Sequence, residues 1–247
     1  MLGKPTYVDP NAKMLRLGGR PPRTTLTLLI LQLSLFVLMA FIPLPRWIPE
    51  HLVLSANGLF SGKEIWQPLT ALVLHLGLRS TFFDMATLWI FGAALERWWG
   101  GKRFLKFYLV TGVVGLLVGA TVGLASPLTP LFGSDGAAMA MIIATAVIFP
   151  RHLVHLHRLT ALKVGLSCLI LGAVTLVGTM LSAAWLQVAV LIGGGLTAAV
   201  FLGPRRTLGE LLAKRAQRIR REKSNLELID GGKKDDSGKK DEPRYWN

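Results

Sequence analysis

One cysteine, Cys168, stands among 247 residues. Disulfides and any CxxC metal motif are therefore excluded, and a lone thiol in the middle of an apolar run is expected to be a small packing residue. Histidine is scarce as well: there are five, and none follows His157. Acidic residues number 14 against 28 Lys and Arg. Long uncharged stretches fill the space between the charges, with hydrophobic residues at 51% and a mean hydropathy of +0.47. Such a chain reads as a multi-pass membrane protein with basic flanks, and a basic soluble protein is excluded.

A bilayer core of about 30 Å needs roughly 20 apolar helical residues. Six runs approach that length: Thr24 to Leu44, Thr81 to Trp99, Phe104 to Leu124, a shorter one from Asp135 to Pro150, Ala161 to Met180, and Ala183 to Leu202. Basic residues choose the orientation. Lys4, Lys13, Arg16, Arg20 and Arg23 precede the first run, Arg97, Lys102, Arg103 and Lys106 follow the second, and Arg151, Arg158 and Lys163 follow the fourth. Residues 125–134 and the turn before the sixth run hold no Lys or Arg. Both termini are thus expected on the cytoplasmic, or matrix, side. A bacterial inner membrane is the expected location, with an organelle inner membrane as the alternative. The first apolar run starts late and has spanning length, so it is expected to stay as an anchor and not to be cleaved.

Four segments follow: a basic N-terminal stretch 1–23, a six-span domain 24–203, a basic amphipathic helix 204–230 and a polar tail 231–247. Within the third, Leu208, Leu211, Leu212 and Ile219 face one way and charges the other, which suits the inner leaflet and its anionic lipids. Arg215 and Arg218, with Tyr245 and Trp246 in the tail, are candidate contacts for partner proteins. Aromatics are too few there for a nucleic-acid stacking surface. The loop Pro45 to Ser80 is too apolar for a solvated linker and too broken for a span, and short interfacial helices anchored by Trp are expected. Gly115, Gly119 and Gly123 stand at GxxxG spacing below Gly112, a stripe for packing inside the bundle or for another protein's helix. Arg151 to Arg158 holds three histidines in a pattern that matches no strong metal motif, and a basic interfacial loop is expected there.

The segment Gly133-Ser-Asp-Gly136 places an aspartate at the head of the fourth run. Three readings stand. Asp135 caps the helix, or it shares a polar pocket with Asp84 and Ser134, or it is one carboxylate of an aspartic intramembrane protease, although Phe132-Gly-Ser-Asp135 lacks the Gly-x-Gly-Asp pattern of that class.

Taken together, Trp66, His75, Gly92, Glu96, Gly133, Gly136, Gly193 and Gly194, in this order and over residues 25–203, resemble the rhomboid family of intramembrane serine proteases. The resemblance implies an all-α, six-helix membrane bundle with an amphipathic first loop, and it implies architectural roles for His75 and Glu96. It places the family's serine nucleophile on Asp135, its histidine base on Leu191 and its oxyanion pair on Ser80 and Asp84. Trp66 is followed by Gln67 where the family has arginine. A serine nucleophile needs an adjacent base, and none follows His157. The expectation is a chain without peptidase activity: a scaffold or accessory subunit of a stable complex with other integral membrane proteins, or a transient adaptor, with no cofactor and no nucleic acid. The competing reading is a protease that uses Asp84 and Asp135.

Overall fold

The computed structural model describes residues 19–203 except 44, 46, 126–128, 151, 158 and 159, with only the backbone given for 153–162. The amphipathic helix 204–230, the tail with Tyr245 and Trp246, and Arg215 and Arg218 lie outside the described residues.

Ten α-helices appear among them. A first helix, α1 (Arg23–Phe41), leads into three short ones, α2 (Trp47–Leu52), α3 (Ala56–Phe60) and α4 (Gln67–Val73). The helical run 78–99 follows as α5 (Leu78–Thr87), a π turn (Leu88–Gly92) and α6 (Ala93–Trp99). Then come α7 (Gly101–Val122), α8 (Asp135–Ile148), α9 (Val164–Leu181) and α10 (Trp185–Leu202). By length and apolarity, α1, the run beginning with α7, α9 and α10 are able to cross a membrane. Helix α8 is shorter, at 14 residues.

One short hairpin accompanies the helices: strands β1 (Leu153–His157) and β2 (Thr160–Lys163) pair antiparallel between α8 and α9, in the stretch expected as a basic interfacial loop. Val154-His-Leu-His157 alternates apolar and polar residues with period two, which suits a hairpin and not a helix. An apolar-run count does not register so short an alternation.

Glycine sets the centre of the bundle. In lipid there is no hydrophobic force between helices, so close van der Waals contact at small residues holds them together. A methyl group at Gly194 of α10 would lie 2.1 Å from the Gly136 carbonyl oxygen of α8. One at Gly115 of α7 would lie 2.9 Å from the Val190 carbonyl oxygen and 3.3 Å from the Gly136 Cα. Three backbones thus meet where any side chain would part them. Gly119 faces Val190 and Leu186, and Gly123 faces Leu186 and Ala56. The stripe Gly115, Gly119, Gly123 is therefore used inside the bundle, and a face for another protein's helix is not available there. Gly112 is closed in the same way by Leu72 of α4.

At the other extreme, α9 buries only Val164 and Cys168. The first loop does form short helices that leave Trp47, Phe60, Ile65 and Trp66 exposed. It is pinned to the bundle by a two-way backbone bridge between Leu54 and Leu131, at 2.9 and 2.8 Å. Gln67, where the family has arginine, is buried; its side chain accepts the Ser55 N–H at 3.0 Å and donates to Glu64.

Candidate functional site

The site is assembled at the N-terminal end of α8. The chain reaches it through Gly133, whose φ of +98° is a conformation that side chains disfavour. The Gly133 N–H donates to the Ala71 carbonyl at 2.9 Å, tying this turn to the end of α4. Helix α8 then starts at Asp135, with Ser134 in the capping position. The expectation that Asp135 caps α8 is thereby corrected: it lies one residue too far in, and the cap comes from another helix.

That cap is Asp84 of α5. Its Oδ2 accepts the Ser134 N–H at 2.9 Å and the Ser134 hydroxyl at 2.8 Å. The same oxygen meets His75 Nε2 at 3.1 Å, while Nδ1 of that ring meets the Val73 carbonyl at 3.3 Å. Asp84, His75 and Ser134 are all buried. Ser134, expected in a polar pocket with Asp84 and Asp135, is held by the Asp84 carboxylate. The order of groups is not that of a serine–histidine–aspartate relay, because here the carboxylate is in the middle and the histidine is outside.

Two further side chains close the cluster from below. Gln32 of α1 donates through Nε2 to the Tyr108 hydroxyl at 2.6 Å and, at 3.4 Å, to Ser134 Oγ. Tyr108 of α7 is thus linked to Ser134 through Gln32. Both are completely buried. Asp135 is half-buried, and its carboxyl stands beside that of Asp84 at Gly133, near the exposed guanidinium of Arg79. Among the described residues, Asp84 Oδ1 and Gln32 Oε1 are buried and accept no hydrogen bond. Buried polar atoms are ordinarily satisfied, and two of the four unpartnered ones among the described residues, the others being Trp99 Nε1 and His152 Nδ1, belong to this one cluster.

The structure thus brings Asp84, Ser134 and Asp135 together and adds His75. It leaves Ser80 and Leu191 out of the cluster. The Ser80 hydroxyl turns back to the Gly77 carbonyl at 2.9 Å, and Leu191 is buried on α10 with no titratable group to offer. Trp66 lies in the first loop, donating its indole N–H to the His51 carbonyl at 3.2 Å. Gly92 is in the π turn, where a methyl group would crowd Leu88 and Phe104, and Gly193 packs on Val118. Glu96 is far down the same helical run. It accepts the Thr24 N–H at 3.0 Å, and the Thr25 N–H and hydroxyl at 2.7 Å each. Sequence reasoning missed Gln32 and Tyr108. An amide inside the apolar run Leu28-Leu-Ile-Leu-Gln32 was the available signal, since a polar group within a span needs a partner.

With this geometry in view, the Rhomboid domain profile matches residues 62–204, more than half of the chain. The chain belongs to the rhomboid family. It is 34% identical over 98 residues to the rhomboid protease GluP of Bacillus subtilis, a stretch covering 38% of this chain and 19% of that protein. It is 37% identical over 60 residues to the putative rhomboid protease YdcA of the same organism, covering 24% of this chain and 28% of that protein. Less than a third of either relative is thus spanned. Both relatives are named as proteases, and this overturns the expectation that the chain has no enzymatic activity, which rested on motif positions alone. Rhomboid membership and the apolar helices make this an integral membrane protein.

Proposed function

We propose that this rhomboid chain is an intramembrane protease whose hydrolytic groups are the Asp84 and Asp135 carboxyls at the head of α8. The run 78–99 and the shorter α8 join the four longer helices as six spans, with both termini on the side rich in Lys and Arg. The observation that carries the reading is the buried Asp84 carboxyl, its Oδ1 unclaimed by any described donor, beside the half-buried Asp135. Two neighbouring carboxyls can provide a base and an acid in one site. The ionised member takes a proton from water as it attacks a peptide carbonyl, and the protonated member donates to the carbonyl oxygen. Ser134, fixed by Gln32 and Tyr108, holds Asp84 in place. Asp135, the more accessible carboxyl, meets the substrate first.

The test is cleavage of a membrane-spanning peptide by purified protein in proteoliposomes, comparing Asp84→Asn, Asp135→Asn and Ser134→Ala. Loss of cleavage in both aspartate variants with activity kept in Ser134→Ala supports the pair. Loss in Ser134→Ala and Asp84→Asn with activity kept in Asp135→Asn makes serine the nucleophile and Asp84 its base. A second reading draws on Leu191, the buried leucine that stands where the family's base falls: a subunit that holds a membrane client or a partner complex. Stoichiometric co-purification of a membrane protein in mild detergent supports it, and detergent-labile, substoichiometric capture supports a transient adaptor.

A further inference from the structure

Between α1 and α5 runs a groove of about 450 Å³, separate from the polar site. Leu26, Ile30 and Leu33 line one wall, and Phe82, Met85 and Trp89 the other, at matching helical spacings. Ala86, the smallest residue along that wall, leaves the space between them. All six larger side chains but Met85 are exposed, so none of the described residues covers the groove.

One end of the groove is basic. Arg23 lies one turn before Leu26 on the same stripe of α1, and both it and Arg20 are exposed. Arg97 Nη2 donates to the Arg20 carbonyl at 3.1 Å, which gathers a third guanidinium at this end. The Trp89 indole N–H donates to the Gly19 carbonyl at 2.9 Å and thereby holds the segment carrying Arg20 against the mouth. Among the described residues Glu96 is the carboxylate bonded there, and its oxygens are already taken by Thr24 and Thr25.

We infer that this groove is a binding site for an anionic phospholipid, with an acyl chain between α1 and α5 and the headgroup phosphate on Arg20 and Arg23. A transmembrane helix would fill an apolar groove without needing a basic mouth, whereas a phosphate needs donors with positive charge. The amides at the start of α1 are not the anion site, because Glu96 occupies them.

The full-length protein in mild detergent, given phosphatidylglycerol or phosphatidylcholine, is examined by native mass spectrometry. Phosphatidylglycerol is expected to be retained at least tenfold better. Each of Arg20→Gln and Arg23→Gln is expected to lower its retention about fivefold. Ala86→Phe, or the milder Ala86→Leu should the first not fold, is expected to abolish retention by filling the groove while leaving both arginines. Excess inorganic phosphate is expected not to displace the lipid. Equal retention of the two lipids overturns the site. So does an arginine effect without an Ala86 effect, which would mean surface charge only, and so does displacement by phosphate. A protein helix cross-linked in the groove, with no lipid adduct, overturns it as well.

Discussion

The helical run 78–99 carries a buried carboxylate near each end, and each meets the N-terminus of a different helix. Asp84 and Glu96 are twelve positions apart, about 18 Å along the axis. Glu96 receives the first amides of α1, which Pro22 does not cap, and its two oxygens divide three donors between them. Asp84 receives the amide of Ser134, the residue before α8, together with its hydroxyl and an imidazole, all on one oxygen, and the other accepts nothing from the described residues. The same device is closed at one end and open at the other. A closed carboxylate ties helices together; an open one, beside a second carboxyl, retains capacity for chemistry.

The sharpest way to break this contrast is at Glu96. Glu96→Ala leaves two amides and a hydroxyl without their acceptor and is expected to destabilise by about 3 kcal/mol, from the loss of charged hydrogen bonds and of the helix-end interaction. Thermal unfolding in detergent reads it, and Glu96→Gln should recover part of the loss, because its amide oxygen still accepts. If Glu96→Ala melts like the parent, the closed end is not structural.

Asp135→Asn is the counterpart at the open end. Cleavage is expected to fall at least about 100-fold, the scale of a lost acid or base, with unfolding changed by less than about 0.5 kcal/mol. A large loss of stability with cleavage intact would reverse the roles of the two ends. Asp84→Asn stands between them. It should abolish cleavage as well, and cost about 1 kcal/mol through weaker capping of α8. His75→Gln removes one donor from a carboxylate that keeps two others, and is expected to cost about 1 kcal/mol. Ser80→Ala is the smallest change: its hydroxyl only returns to Gly77, so stability should move by less than about 0.5 kcal/mol and cleavage not at all.

How much of this was legible in the chain differs between fold and site. The apolar runs match the helices to within a few residues, because the bilayer demands length and hydropathy, and both are written locally. Thr81 to Trp99 is the run 78–99, and Ala183 to Leu202 contains α10. The hairpin at 153–163 was missed because its alternation is only a few residues long. Asp84, Ser134 and Asp135 could be proposed as neighbours only through the family resemblance. Gln32 and Tyr108 could not, since their pairing depends on where α1 and α7 cross.

The sequence by itself determined a basic-flanked membrane bundle, an aspartate at the head of the short helix, and glycines wherever backbones come close. Periodicity, charge placement and side-chain size are properties of neighbouring residues. The tertiary structure alone decided that the GxxxG stripe of α7 is spent inside the bundle, that Ser134 and not Asp135 takes the capping position, and that two carboxylates on one helical run have opposite fates. The physical reason is that a buried carboxylate's role depends on how many donors reach each of its oxygens. Those donors arrive from the start of α1, from His75 just after α4 and from Ser134 just before α8, segments whose mutual placement no local pattern encodes.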